Sequence, residues 1–263
     1  MQNRIRYSMS LTALALIIIL CNWNNFTSEC QHKKVKIAVI DTGIEERLIL
    51  KCNIIGFYDI VNRQHRYYDD NGHGTSVINT IINNKYNVQS ITCKTQFIVI
   101  KAADAEGNMT LKNLETALKI AKQQDADIIN ISIGGIVHSK IAQKRIQRMI
   151  LNLNGAGITV IAAAGDEKKE VLFPANLTPE CICVFSDQAR FGQNQKDEYK
   201  TSCSYPAIKS VDFPNGELWE CGTSFSTAIA TSQVANMKSA FKRRRFSNEE
   251  ICMFLKRLHK GLA

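Results

Sequence analysis

The stretch Val35-Lys36-Ile37-Ala38-Val39-Ile40-Asp41-Thr42-Gly43 is a short β-branched run that ends in an acidic turn. Such a run fits a buried strand of a parallel sheet, and Asp41-Thr42-Gly43 reads as its exit into a loop. Outward from it, strands are expected at residues 53–60, 96–101, 127–133 and 157–164, with weaker ones at 181–185 and 208–212. Helices are expected at 73–83, 110–124, 140–153, 224–240 and 247–259. The 110–124 segment carries Leu111, Leu114, Leu118 and Ile120-Ala121 at a helical period. The last helix opens with a capping box, Ser247 serving the third position and Glu250 reaching back. Strands alternating with helices imply an α/β fold of three layers, a mainly parallel sheet with helices on both faces. Reacting groups then belong at the carboxyl ends of strands.

Three motifs sit where that scaffold puts such groups: Ile37-Ala38-Val39-Ile40-Asp41-Thr42-Gly43, Asn71-Gly72-His73-Gly74-Thr75 and Gly222-Thr223-Ser224-Phe225-Ser226-Thr227-Ala228. A serine hydroxyl is a poor nucleophile near neutral pH, so a His within hydrogen-bond reach must take its proton. A buried carboxylate must hold that His in one tautomer and stabilise the imidazolium. Asp41 follows a strand, and His73 and Ser224 open helices. These positions suit Ser224 as nucleophile, His73 as general acid and base, and Asp41 as the orienting carboxylate. Singly, each has an ordinary alternative as a turn Asp, a loop His or a helix N-cap Ser; three motifs in this order are far more specific.

Asp, then His, then Ser is also the order in which subtilisins carry their triad. From about Val35 to about Leu258 the chain resembles the subtilisin-like (subtilase) serine proteases. The resemblance implies a subtilisin-like fold and a serine endopeptidase that works on polypeptide substrates through an acyl-enzyme. It places one oxyanion donor at the Ser224 N–H and the other at Asp166, where Ala162-Ala163-Ala164-Gly165-Asp166 stands for the family's Ala-Ala-Gly-Asn. An ionised Asp166 donates nothing, and losing one such donor costs about 10²–10³ in turnover in subtilisin; a protonated Asp166 still donates. Ser132-Ile133-Gly134-Gly135 resembles the edge that pairs with an extended substrate, and Gly107 and Asn108 align with the strand on its other side. Ala164, Gly165 and Gly134 then border a first specificity pocket kept open by the glycines, with Phe173 at its far wall or in the core. The acidic rim of Asp166 and Glu167 favours a basic side chain before the scissile bond.

The chain departs from the family in places. Phe225-Ser226-Thr227 follows Ser224 where the family mostly has Met-Ala-Pro. No metal ligand set is expected, and no cofactor. Asn83-Asn84-Lys85-Tyr86-Asn87-Val88 resembles a calcium loop, but Glu45-Glu46-Arg47-Leu48-Ile49-Leu50 lacks the Asp the family supplies there. Read as beginning at Met1, the chain leaves no room for the folded pro-domain secreted subtilases usually carry. These departures keep open a second reading, a weak or silent subtilase fold that binds a peptide or partner.

The 263 residues suit one large α/β domain, and 45% hydrophobic content argues against disorder. The net charge of +9 comes largely from local runs such as Lys33-Lys34, Lys168-Lys169 and Lys242-Arg243-Arg244-Arg245. With no nucleic-acid motif beside it, this charge reads as solvated surface rather than a nucleic-acid site. Arg4 and Arg6 before an apolar stretch at residues 9–21 read as a signal for export, or as a membrane tether if it stays uncut. The expected organisation is residues 1–30 as signal or anchor and 31–263 as the peptidase domain. Nine cysteines, eight after cleavage beyond Cys21, fit either disulfides or buried thiols.

Overall fold

The computed structural model describes residues 34–83, 95–166, 170–186, 202–205, 211–213, 216–218, 222–241 and 245–262. Seven strands form one sheet in the order β2-β3-β1-β4-β5-β6-β7, every neighbouring pair parallel. They are β1 (Val35–Asp41), β2 (Asn53–Asp59), β3 (Thr95–Lys101), β4 (Ile128–Ile131), β5 (Thr159–Ala163), β6 (Ile182–Ser186) and β7 (Ser202–Tyr205). A separate antiparallel pair joins β8 (Val211–Phe213) to β9 (Gly216–Leu218). The helices are α1 (Glu46–Ile49), α2 (His73–Asn83), α3 (Leu111–Gln123), α4 (Lys140–Gly155), α5 (Thr223–Ala240) and α6 (Asn248–Leu262).

Strand side chains alternate between two cores. Ile37, Val39, Phe97, Val99 and Ile128 join Val77, Ile78 and Ile81 of α2, Ile229 and Val234 of α5, and Ile251 and Leu255 of α6. On the other face Ala38, Ile40, Ile98, Ile100, Ile129 and Ile131 meet Leu114 and Leu118 of α3 and Ile146 and Ile150 of α4. Each such side chain taken from water is worth about 1.5–3 kcal/mol, which is why both faces of the sheet must be covered. Helix α5 runs almost wholly buried through the first core, so whatever its first turn carries is anchored in that core.

From β1 the chain moves out to β2, returns to β3, then crosses to β4 on the far side of β1. The carboxyl end of β1 therefore lies beside the point where the strand order reverses, where crevices open in such sheets.

Expected and observed elements differ in several places. Strand β4 stops at Ile131 rather than 133, because Gly135 leaves the sheet and pairs antiparallel with Phe173. The edge strand β7 and the turn α1 are too short and too polar to show a period. The weak strand at 208–212 is β8, shifted to Val211–Phe213. Among the described residues Cys52, Cys181, Cys183 and Cys252 carry thiols rather than disulfides. Burial pushes Cys52 up to about 11 and Cys252 up to about 12, which keeps both thiols protonated. The capping box is present: Ser247 N–H donates to Glu250 Oε2 at 2.8 Å and Glu250 N–H to Ser247 Oγ at 3.1 Å. The leader at residues 1–30, the cysteines 21, 30, 93 and 221, and residues 84–88 of the calcium-like loop lie outside the described residues. Among the described residues no helix is long and apolar enough to cross a membrane.

Candidate active site

Asp41 ends β1 with no exposed surface. Its Oδ1 accepts from the Thr42 N–H at 2.8 Å and lies 2.8 Å from His73 Nδ1. A carboxylate only accepts, so this bond puts the His73 proton on Nδ1 and leaves Nε2 as the basic nitrogen. Asp41 Oδ2 is buried with no hydrogen-bond partner among the described residues. His73 keeps 26% of its side chain exposed, so part of the ring is open to solvent.

The loop before His73 is organised by Asp69. Its carboxylate accepts from the N–H groups of Asn71, Gly72 and Thr75 and from the Thr75 hydroxyl, at 2.6–3.2 Å. Burial pushes the Asp69 carboxyl upward, but these bonds outweigh it and hold it below the usual carboxylate range. Gly74 explains the glycine after His73. A Cβ there would stand 2.5 Å from the Gly43 carbonyl oxygen and 3.2 Å from Asp41 Cβ, so only glycine lets α2 start this close to Asp41.

Sequence reasoning missed Lys101. It ends β3 with no exposed surface. Its Nζ donates to the carbonyls of Thr42 (2.8 Å) and Ala103 (3.0 Å) and to Asp70 Oδ1 (2.5 Å). The same ammonium stands 5.2 Å from the centre of the Tyr68 ring, a cation–π distance. One cation thus ties the residue after Asp41 to the loop before His73. The signal in the sequence is a lysine closing the otherwise apolar Phe97-Ile98-Val99-Ile100.

Ser224 lies in the first turn of α5, which begins at Thr223, one residue earlier than expected. The Ser224 hydroxyl donates to the Ser132 carbonyl at 2.8 Å, and the Ser132 hydroxyl donates back to the Ser224 carbonyl at 3.0 Å. Asn130, also missed, supports Ser132 through its Nδ2 at 3.0 Å and receives the Thr231 hydroxyl at 2.8 Å. An asparagine between Ile129 and Ile131 was the available sign of that buried polar link. The Phe225 ring stands 6.0 Å from the His73 ring, which brings the start of α5 alongside the imidazole.

Asp166 faces the same turn, but as an acceptor. Its Oδ1 takes the Thr223 N–H at 2.7 Å, and a Cβ on Gly222 would sit 2.8 Å from its Oδ2. The N-cap Gly222 offers no side-chain bond of its own, so Asp166 caps α5 from outside. The expected second oxyanion donor is therefore a helix cap in this structure. Gly165 N–H reaches Thr223 Oγ1 at 3.1 Å and holds Ala164-Gly165-Asp166 beside the serine turn.

The predicted substrate segments also come together. Gly107 to Leu111 and Ile133 to Ser139 face each other across a cavity of about 420 Å³ that Phe173 also lines. Gly107, with φ of +81°, makes the turn that brings Met109 back against Ala103. Asn108 is exposed at the rim, Ile133 is half-buried, and Phe173 is buried in the core as well as lining the groove. One expectation fails. The pocket that Gly134 and Gly165 were to keep open is occupied by Leu172, whose side chain lies against both glycines. Glu167, the other half of the expected acidic rim, lies outside the described residues.

The sequence pattern of the subtilase family matches residues 32–259. The minor extracellular protease Epr of Bacillus subtilis is 34% identical over 221 residues, covering 81% of this chain and 32% of that protein. The thermostable alkaline protease of Halalkalibacterium halodurans is 27% identical, over 82% of this chain and 59% of its own length. This chain thus spans about a third and about three-fifths of those two relatives. Among solved structures, the prenylagaramide maturation protease PagA superposes with a TM-score of 0.60 at 20% identity, over 79% of this chain and 76% of that one.

Proposed function

The chain belongs to the subtilase family, and from that premise we propose that it is a serine endopeptidase acting on polypeptides through an acyl-enzyme on Ser224. The observation that carries the reading is the 2.8 Å contact between His73 Nδ1 and the buried Asp41 carboxylate, with the start of α5 beside the ring. For attack, the Ser224 hydroxyl leaves the Ser132 carbonyl and gives its proton to His73 Nε2 as Oγ bonds to the substrate carbonyl carbon. Asp41 stabilises the imidazolium. The oxyanion faces the Ser224 N–H, a first-turn donor with no partner inside its helix. Collapse breaks the C–N bond, His73 returns the proton to the leaving amine, and water reverses the sequence to free the acid and Ser224.

Export fits both the basic and apolar leader at residues 1–21 and the extracellular relative. The Asp166 carboxylate favours a second reading, in which the site binds peptides with little or no turnover. An active-site-directed organophosphonate separates the two. Stoichiometric labelling at Ser224, absent in Ser224→Ala and accompanied by peptide hydrolysis, supports the protease. A folded protein that is neither labelled nor active leaves the binding role.

A further inference from the structure

We propose that Leu172 fills the crevice beside Ser224 and restricts the residue on the acyl side of the scissile bond to a small side chain, glycine, alanine or serine. The inference rests on Ser224 being the nucleophile, and its test is built so that the two can fail separately.

Two segments converge on the turn that carries Ser224. Ser132 exchanges hydrogen bonds with Ser224 itself. Gly165 and Asp166 are bonded to Thr223, one residue away. A substrate laid along Ser132-Ile133-Gly134, with its carbonyl carbon on Ser224 Oγ, directs the adjoining side chain between these two segments. Each wall presents a glycine there, which by itself reads as an opening for a large side chain.

Leu172 takes that space from within. A Cβ on Gly134 would stand 2.9 Å from Leu172 Cβ, and one on Gly165 would stand 2.6 Å from its Cγ and 2.7 Å from its Cδ1. Real Cβ atoms do not approach so closely, so the glycines make room for the leucine rather than for substrate. The backbone that carries Leu172 is bonded to both walls. Its N–H donates to the Ala164 carbonyl at 2.9 Å, and Phe173 exchanges bonds of 2.9 and 3.0 Å with Gly135. Leu172 is half-buried. A phenylalanine, leucine or lysine could enter only by displacing packed methyl groups, the overpacking that interiors resist. A basic side chain before the scissile bond, suggested by the acidic rim, has no room.

The test is a peptide series identical except for Ala, Leu, Phe or Lys before the scissile bond, with kcat/KM measured for wild type, Leu172→Gly and Leu172→Ala. One misfitting methylene changes such ratios by about 10–200-fold. Wild type should prefer Ala by at least about 10-fold, and Leu172→Gly should raise the Phe-to-Ala ratio of kcat/KM by about 100-fold. Leu172→Ala, the milder change, should move the same way should the glycine variant not fold. Wild type cleaving Phe or Lys as fast as Ala, or folded variants with unchanged ratios, overturns the proposal. Were no protein to hydrolyse any peptide or take an organophosphonate, the protease reading would fall. Leu172 would then be judged by equilibrium binding of Ala-ended and Phe-ended peptide acids to Ser224→Ala, with and without Leu172→Ala. About 10-fold tighter Phe binding in the double variant upholds the filled crevice, and equal binding ends it.

Discussion

Around His73 the backbone is pinned by hydrogen bonds, from Asp69 beneath its helix turn to Lys101 behind Asp41, whereas around Ser224 two side chains alter the surroundings of the serine. Asp166 presents a carboxylate to the first turn of α5, and Leu172 fills the crevice beside it. The difference teaches that two tasks are built separately here. In the proposed mechanism His73 as base needs a fixed proton and a fixed ring, and Asp41 and Lys101 at the ends of β1 and β3 serve both. Holding an oxyanion and admitting a side chain depend on loops, where single residues change the outcome without touching the sheet.

That contrast can be broken from either side. The largest effect is expected from Asp41→Asn. It removes the charge that stabilises the imidazolium and invites the wrong tautomer, so kcat should fall by about 10⁴ with the fold intact; a loss under 10-fold would mean that His73 is held by other contacts. Next is Asp166→Asn, which keeps an acceptor for the Thr223 N–H and adds an amide donor. Turnover near neutrality should rise by about 10², the scale of one oxyanion donor, read from kcat at unchanged active-site titre. Lys101→Met should cost about 2–4 kcal/mol in urea unfolding, because two carbonyls and Asp70 lose their buried donor. Asp70 keeps about a third of its surface exposed (34%) and can hydrate, which sets the lower end. The smallest is a pH effect. The Asp69 carboxyl is lower in the folded than in the unfolded chain, so its contribution to stability is present above the unfolded value near 4 and lost as pH falls through the lower folded value. Asp69→Asn should flatten the acid limb of the stability–pH curve and leave the limb above pH 7 alone; an unchanged acid limb would assign it elsewhere.

Much of the sheet was legible because its inner strands are apolar on both faces and the helix after β3 carries a clear period. The helix over 73–83 and the capping box at Ser247 were read to the residue. Asp41, His73 and Ser224 were legible because their motifs include the neighbours that geometry demands, such as Gly74 against Gly43. Lys101 and Asn130 were not singled out, since a polar residue in an apolar run shows neither its partners nor its burial. Leu172 was invisible for another reason: a glycine marks a need for space, and sequence does not say whose. Asp166 was flagged for its charge, yet only the bond to Thr223 identifies it as a helix cap.

The cap at Asp166 sets rate against robustness. A carboxylate at the start of α5 suits the helix dipole by about 0.3–1 kcal/mol, and in the proposed mechanism the same charge opposes the oxyanion at Ser224. Aspartate and asparagine codons differ by one base, so the form expected to be faster and slightly less stable lies a single mutational step away. Selection for turnover in a mutagenised population should therefore return Asp166→Asn early, and selection for heat resistance should not.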